Sequence, residues 1–167
     1  MAYRTEFGDY DQMYGRLPVD GLTVLDIGAD YGTTAEYFLS RGARVVFVTE
    51  RRPEWRAALE EKAKADGRIR VVDDLTLENA WTILLEASPD AVKVDCERCE
   101  TFLLSVPPDL LARPMAWVME THTRELYEEF KWLFHSLGYT VETVEEFPNN
   151  PPERCVKVIL ATREVVQ

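Results

Sequence analysis

Short apolar runs rich in β-branched residues alternate along this chain with segments of helical period, and that alternation limits the possible folds more than any other feature. Thr23–Ile27 reads as a buried strand that stops at Gly28. The segment Thr33 to Arg41 carries Ala35, Tyr37, Phe38 and Leu39 and stops at Gly42, which predicts a helix. Arg44–Thr49 is a second strand, and Pro53 opens a helix that runs to Asp66. Ile69–Val72 is a third strand, followed by a helix over Leu77–Ala87. Ala91–Asp95 is a fourth strand, and a helix over Glu97–Val106 is closed by Pro107 and Pro108. Ala116–Glu120 is a fifth strand. The helix after it, Thr123 to Leu137, puts Leu126, Phe130, Leu133, Phe134 and Leu137 on one face. Thr140–Phe147 and Val156–Thr162 read as two further strands, joined by a Pro- and Asn-rich loop at Pro148–Glu153. The pattern predicts an α/β fold: a Rossmann-like, doubly wound sandwich. Its seven-stranded sheet is mostly parallel, with an antiparallel strand near the C-terminus, because so short a last link cannot carry a crossover.

The chain has 167 residues, the length of one domain, and residues 1–167 are read as one. Its net charge of −11 repels phosphate backbones and disfavours nucleic acid or an anionic membrane as partner. Met1 to Tyr10 carries charge and no apolar run, and no stretch approaches the roughly 20 apolar residues of a membrane span. The expectation is a cytoplasmic protein. Three cysteines are too few for a disulfide scaffold, and no ligand spacing points to a metal.

Ligands of such sheets bind at the carboxyl ends of the strands, which singles out Asp26, Glu50, Asp95 and Glu120. Asp26-Ile-Gly-Ala-Asp-Tyr-Gly32 joins the first strand to the first helix. Gly28 and Gly32 allow a tight turn and close approach by a ligand, but the spacing is not the three-glycine dinucleotide fingerprint. An acidic loop suits a ligand with a cationic end. Glu50 follows at about the expected 20 residues and can accept hydrogen bonds from two ribose hydroxyls.

These residues resemble the cofactor site of class I S-adenosylmethionine-dependent methyltransferases. The second half is similar to the FkbM-type methyltransferases. Lys93, Asp95, Glu97 and Glu100 match K-x-D-x-E-x-x-E, Glu120 and His122 match E-x-H, and Gly138-Tyr139 ends the long helix. The resemblance covers about Leu22 to Thr162. It implies S-adenosylmethionine as cofactor and a hydroxyl of a small molecule or sugar as methyl acceptor. It implies that the loop Gly28 to Gly32, with Asp30 and Tyr31, underlies the methionine part, and that Asp26 or Asp30 helps to hold its amino group. Glu50 takes the ribose, with Arg51 beside it, and Asp73 or Asp74 sits near the adenine amine. Asp95 and Glu97 face the sulfonium, and His122 lines the acceptor side. Residues 1–20 could form a partial lid. Two positions depart from the pattern: Arg98 stands where the family has Gly, and Asp30 where it commonly has Asn.

Plainer readings stand beside these. Asp73-Asp74 reads equally as a solvated turn. Acidic residues such as Glu97 and Glu100 are favoured at any helix start, and His122 could cap the helix that follows. Cys96-Glu-Arg-Cys99 has redox spacing, but the expectation is two small space-filling residues. Asn150-Pro-Pro152 reads as a turn. Two alternative functions remain open, an RNA or protein methyltransferase and a non-catalytic S-adenosylmethionine-binding domain or sensor.

Overall fold

The computed structural model describes residues 4–5, 8–146 and 156–163. Two-residue strands β1 (Arg4–Thr5) and β2 (Gly8–Asp9) pair antiparallel and lead into the short helix α1 (Tyr10–Tyr14). The alternating elements follow: β3 (Thr23–Ile27), α2 (Thr33–Ser40), β4 (Val45–Thr49), α3 (Pro53–Ala65), β5 (Ile69–Val71), α4 (Ala80–Ala87) and β6 (Ala91–Val94). A 3₁₀ helix (Cys99–Ser105), α5 (Pro108–Leu111), β7 (Ala116–Thr121), α6 (Arg124–Ser136), β8 (Thr140–Glu146) and β9 (Lys157–Thr162) complete the order.

The large sheet has seven strands in the order β5-β4-β3-β6-β7-β9-β8. β3 pairs parallel with β4 and β6, β4 with β5, and β6 with β7. β9 runs antiparallel to both β7 and β8. The mostly parallel doubly wound sheet expected from the sequence is therefore present. The chain winds outward from β3 to β5, then crosses to β6 on the other side of β3. That reversal opens a crevice at the carboxyl ends of β3 and β6.

Side-chain alternation divides the core into two layers. Leu25, Ile27, Val92, Val94, Trp117 and Met119 point to the face covered by α4, the 3₁₀ helix, α5 and α6. Val24, Val46, Val48, Ala91 and Val118 point to the face covered by α1, α2 and α3. β3, β6 and β7 are buried along their whole length, which is why they read as continuous apolar runs. Helix α6 is closed at both ends. The Thr123 side chain accepts from the N–H of Leu126 at 3.2 Å and caps α6, and Gly138 leaves the helix at φ 84°.

Two helical expectations are corrected. The segment after β6 is not an α-helix from Glu97. Glu97 and Arg98 adopt left-handed φ values of 53° and 84°, so the chain enters a 3₁₀ helix only at Cys99, and Pro108 opens a separate short helix. α4 begins at Ala80 rather than Leu77, because the Asn79 side chain bonds the N–H of Thr76 and the carbonyl of Asp74 in a preceding turn. The Pro148–Glu153 loop, with Asn150-Pro-Pro152, lies outside the described residues. No helix among the described residues is long and apolar enough to cross a membrane.

Phe134 anchors the α6 layer. It is 1% exposed, and its ring centroid lies 5.5 Å from those of Trp117 and Tyr139 and 5.9 Å from that of Phe130. Phe134→Ala should lower unfolding free energy by about 3–5 kcal/mol. Urea unfolding followed by tryptophan fluorescence checks this; a loss below about 1 kcal/mol would mean that the layer collapses to fill the cavity.

Candidate active site

Parallel pairing puts Asp26 of β3 directly beside Lys93 of β6, both on the α1–α3 face. Both are fully buried, with Lys93 Nζ 2.9 Å from Asp26 Oδ1. The same ammonium donates to the carbonyl of Gly28 at 2.6 Å. Thr34 at the start of α2 donates to Asp26 Oδ2 at 2.6 Å. Tyr14 of α1 covers the pair, with Lys93 Nζ 5.7 Å from its ring centroid, and donates its hydroxyl to Asp95 Oδ2 at 2.9 Å. Burial alone would pull the Lys93 ammonium down, but Asp26, Asp95 and Asp30 outweigh it and hold the group charged above its ordinary range. Asp26 thus lies under the crevice floor, bound to protein partners.

The loop after β3 forms the near wall. Gly28 has φ 79°, and a Cβ there would stand 1.9 Å from the carbonyl oxygen of Asp95. Only glycine lets the loops after β3 and β6 touch in this way. Glu50, almost fully buried at the end of β4, accepts from the N–H of Asp30 at 3.0 Å and from that of Arg52 at 2.8 Å. A carboxylate oxygen can accept a second hydrogen bond beside the one each of these makes. Asp30 is exposed on the same loop, at φ 50°. The protein packed around its carboxyl removes water, and with Asp95, Glu50 and Asp26 nearby pushes it up to about 6, against the pull of Lys93.

Tyr31 and Trp55 stack at the outer rim with ring centroids 4.7 Å apart, and the Arg52 guanidinium lies 3.8 Å over the Trp55 ring. Gly32 abuts Leu59 and Lys62 of α3 and adopts φ 87°. Arg51 is exposed. Asp74 is half-buried beyond the end of β5, raised by burial and close enough to feel Arg51 and Glu50, whereas Asp73 is exposed.

The far wall brings together Asp95, Glu97 and His122, as the sequence suggested, and adds Glu100 and Glu120. The fully buried Glu100 accepts through one oxygen from His122 twice, from its backbone N–H at 3.1 Å and from Nδ1 at 2.9 Å. That bond fixes the proton on Nδ1 and leaves Nε2 facing the crevice, 3.8 Å from Glu97 Oε2. Thr123, not His122, caps α6, so capping does not account for the imidazole. Burial pulls His122 down, but the Glu100 hydrogen bond and the surrounding carboxylates raise it above its ordinary value. Asp95 and Glu120 are hydrogen-bonded to each other. Burial and the Asp95 charge push Glu120 far above the carboxylate range, so it carries the shared proton. Burial pushes Asp95 up as well, but Lys93 and the bonds from Glu120 and Tyr14 hold it below the usual value.

The space-filling reading of Cys96 and Cys99 is overturned. They form a disulfide, with Cα atoms 5.5 Å apart, that closes the segment carrying Glu97 and Arg98. Sequence reasoning gave no role to Tyr14, Lys93 or Glu100, and singled out Glu120 only as an acidic strand end. Lys93, Glu100 and Glu120 sit in the motifs that singled out their neighbours. Nothing local marks Tyr14.

No family model matches the chain. Uncharacterized protein 65 of Sulfolobus islandicus filamentous virus (isolate Iceland/Hveragerdi) is 33% identical over 114 residues, 68% of this chain and 68% of that protein. The precorrin-6y C5,15-methyltransferase of Geobacter metallireducens GS-15 superposes with a TM-score of 0.60 at 18% identity, over 92% of this chain and 85% of that one. Fibrillarin of Aeropyrum pernix, solved with natively bound S-adenosyl-L-methionine, superposes with a TM-score of 0.61 at 16% identity, over 97% and 82%. At these identities the likeness is one of fold: the Rossmann-like fold of the methyltransferases.

The Asp26–Lys93 pair gives a test of the site's foundation. Lys93→Met keeps the volume but leaves a buried carboxylate without its cation. Stability should fall by about 3–5 kcal/mol. Urea titration measures this; a change within about 1 kcal/mol would show that Asp26 is neutralised without the lysine.

Proposed function

The chain belongs to the family of uncharacterized protein 65 of Sulfolobus islandicus filamentous virus, and we propose that it is an S-adenosylmethionine-dependent methyltransferase of FkbM type that methylates a hydroxyl oxygen of a small molecule. The observation that carries this reading is the junction of two walls at Gly28. An acidic cradle of Asp30 and Glu50 meets a far wall of Asp95, Glu97 and His122, at a contact only glycine permits. The fold shared with fibrillarin, which holds S-adenosyl-L-methionine in its solved structure, supports the same cofactor.

The residues present fit that cofactor. Gly28 brings the loop after β3 into backbone contact with Asp95, so the cofactor-side and acceptor-side residues adjoin. Glu50 offers paired carboxylate oxygens to the two ribose hydroxyls, already oriented by the N–H groups of Asp30 and Arg52. Asp30 is exposed where it can meet an amino group, and Asp74 is near enough to Glu50 to meet the adenine amine. Asp26, with its oxygens directed to Thr34 and Lys93, supports the loop from beneath. The N-terminal segment, residues 1–20, would form the partial lid, a reading supported by the bond from Tyr14 of α1 to Asp95.

When bound, S-adenosylmethionine supplies an electrophilic methyl carbon on a positively charged sulfur. The Asp95 and Glu97 carboxylates would favour that charge and orient an acceptor hydroxyl toward the methyl carbon. The cofactor would supply the methyl group and leave as the neutral thioether. The hydroxyl proton passes to a base of the Asp95–Glu97–His122 set. The acidic crevice and the net charge of −11 favour a neutral or cationic small acceptor over RNA.

Calorimetric titration with S-adenosylmethionine and S-adenosylhomocysteine tests the cofactor. Wild type should bind in the micromolar range, and Glu50→Gln should weaken binding about tenfold or more by removing charge-assisted bonds to the ribose. A folded wild type that binds neither compound ends this reading.

The Asp30 carboxyl adds a pH dependence of defined sign. It titrates at about 6 when no ligand is present, and only its ionised form attracts the cofactor ammonium. Affinity should be greatest above about 6 and fall as the pH drops through that value, by up to about tenfold per unit. Asp30→Asn should flatten the profile; an unchanged slope would remove Asp30 from amino-group binding.

A further inference from the structure

One ligand atom from each of Asp95, Glu120 and His122 lies within 4.8 Å of the other two. The three come from the carboxyl ends of the adjacent strands β6 and β7, so backbone pairing fixes their approach. Glu120 is 5% exposed, and the His122 side chain is 10% exposed. We propose that Asp95, Glu120 and the Nε2 atom of His122 form a divalent-cation site, of Mn²⁺ or Mg²⁺ class, which holds the acceptor oxygen beside the methyl group. The acceptor role rests on the methyltransferase reading; the cation site does not.

The imidazole carries the strongest independent sign. A metal-binding histidine presents one nitrogen to the ion and donates from the other to a carboxylate that sets its tautomer and angle. His122 is built this way. Nδ1 is held by the fully buried Glu100, whose same oxygen also accepts the His122 backbone N–H. Nε2 is left among carboxylates, 3.8 Å from Glu97 Oε2. Burying an acidic residue to aim an imidazole at other acidic residues gives a strong site for a cation and a poor one for an anion.

The charge balance points the same way. Asp95, Glu97, Glu100 and Glu120 converge on this wall, and the buried ammonium of Lys93 directs its donors to Asp26 and the carbonyl of Gly28. Asp95 and Glu120 share a hydrogen bond, and a cation between them would replace its proton. A cation with bonds of about 2.1 Å would draw the three ligand atoms to about 3 Å from one another. Carboxylate oxygens paired with a single imidazole suit Mn²⁺ or Mg²⁺ better than a thiolate-seeking metal. Three protein ligands leave coordination positions open for water and the acceptor oxygen. Glu97, exposed beside Nε2, then remains as the base that takes the hydroxyl proton.

The test uses the whole chain and Mn²⁺ alone. Calorimetric titration of metal-free protein should show one saturable Mn²⁺ site per chain. Electron spin-echo spectra of the complex should show coupling to an imidazole nitrogen. Glu120→Gln should weaken Mn²⁺ about tenfold or more, and His122→Ala should abolish the nitrogen coupling. Failure of folded wild type to bind Mn²⁺ saturably up to millimolar concentration overturns the site. So does bound Mn²⁺ without nitrogen coupling, a result that needs no variant to fold. Unchanged affinity in a folded Glu120→Gln protein overturns it as well. S-adenosylmethionine titrated into the same samples separates the two proposals: cofactor binding without Mn²⁺ binding removes the metal alone, and Mn²⁺ binding without cofactor binding leaves the metal site standing and removes the methyltransferase.

Discussion

A single buried ammonium holds the switch point of the sheet together. Lys93 sits where β3 and β6 pair, touches Asp26 across that pairing, and donates to the carbonyl of Gly28 at the start of the crevice loop. Burying two charges is expensive, and an apolar pair of similar volume would give comparable stability. What the ion pair adds is position. It fixes the turn after β3 against the end of β6, and Tyr14 completes the arrangement by covering the ammonium and bonding Asp95. The two walls of the crevice are therefore set by one electrostatic contact rather than by two independent loops. A buried cation also biases the carboxylates around it unequally, because its effect falls with distance and burial. Asp95 is held ionised while Glu120, its neighbour on β7, keeps the proton.

The sheet was legible because its central strands are buried on both faces. Val24–Ile27 and Ala91–Val94 read as strands without alternation, and α6 shows the 3.6-residue period of a helix covering one face. The acidic strand ends were legible for a related reason: a carboxylate that closes an apolar run needs a partner or a ligand. Asp26 shows the limit of that argument. Its position in the motif suggested a possible ligand contact, but strand alternation turns it onto the α1–α3 face toward Lys93, a cross-strand partner that sequence separation conceals. Tyr14 is less visible still. It reaches the site from a five-residue helix outside the alternating pattern, and its role comes from tertiary packing alone.

The segment after β6 was misread for a local reason. Acidic residues ahead of an apolar stretch predict a helix start, but Glu97 and Arg98 both take left-handed backbone conformations, each at a cost of roughly 1–3 kcal/mol for a residue with a side chain. The disulfide between Cys96 and Cys99 spans these two residues and ties the ends of the strained stretch together. The motif's CxxC spacing was visible in the sequence; its structural use was not, because composition alone argued against disulfides.

Arg98, at φ 84°, holds a backbone conformation that glycine adopts freely, so its side chain adds a cost to the turn. What the turn secures is the direction of the chain on either side. Upstream it leaves Asp95 at the strand end against Tyr14; downstream it starts the 3₁₀ helix so that Glu100 points inward to His122. A regular α-helix from Glu97 would rotate Glu100 by about 100° per residue along a different path and would not preserve this arrangement. The strained turn, the disulfide across it and the buried Glu100 are therefore parts of one device, which holds the imidazole of His122 by Nδ1 and leaves Nε2 beside Glu97.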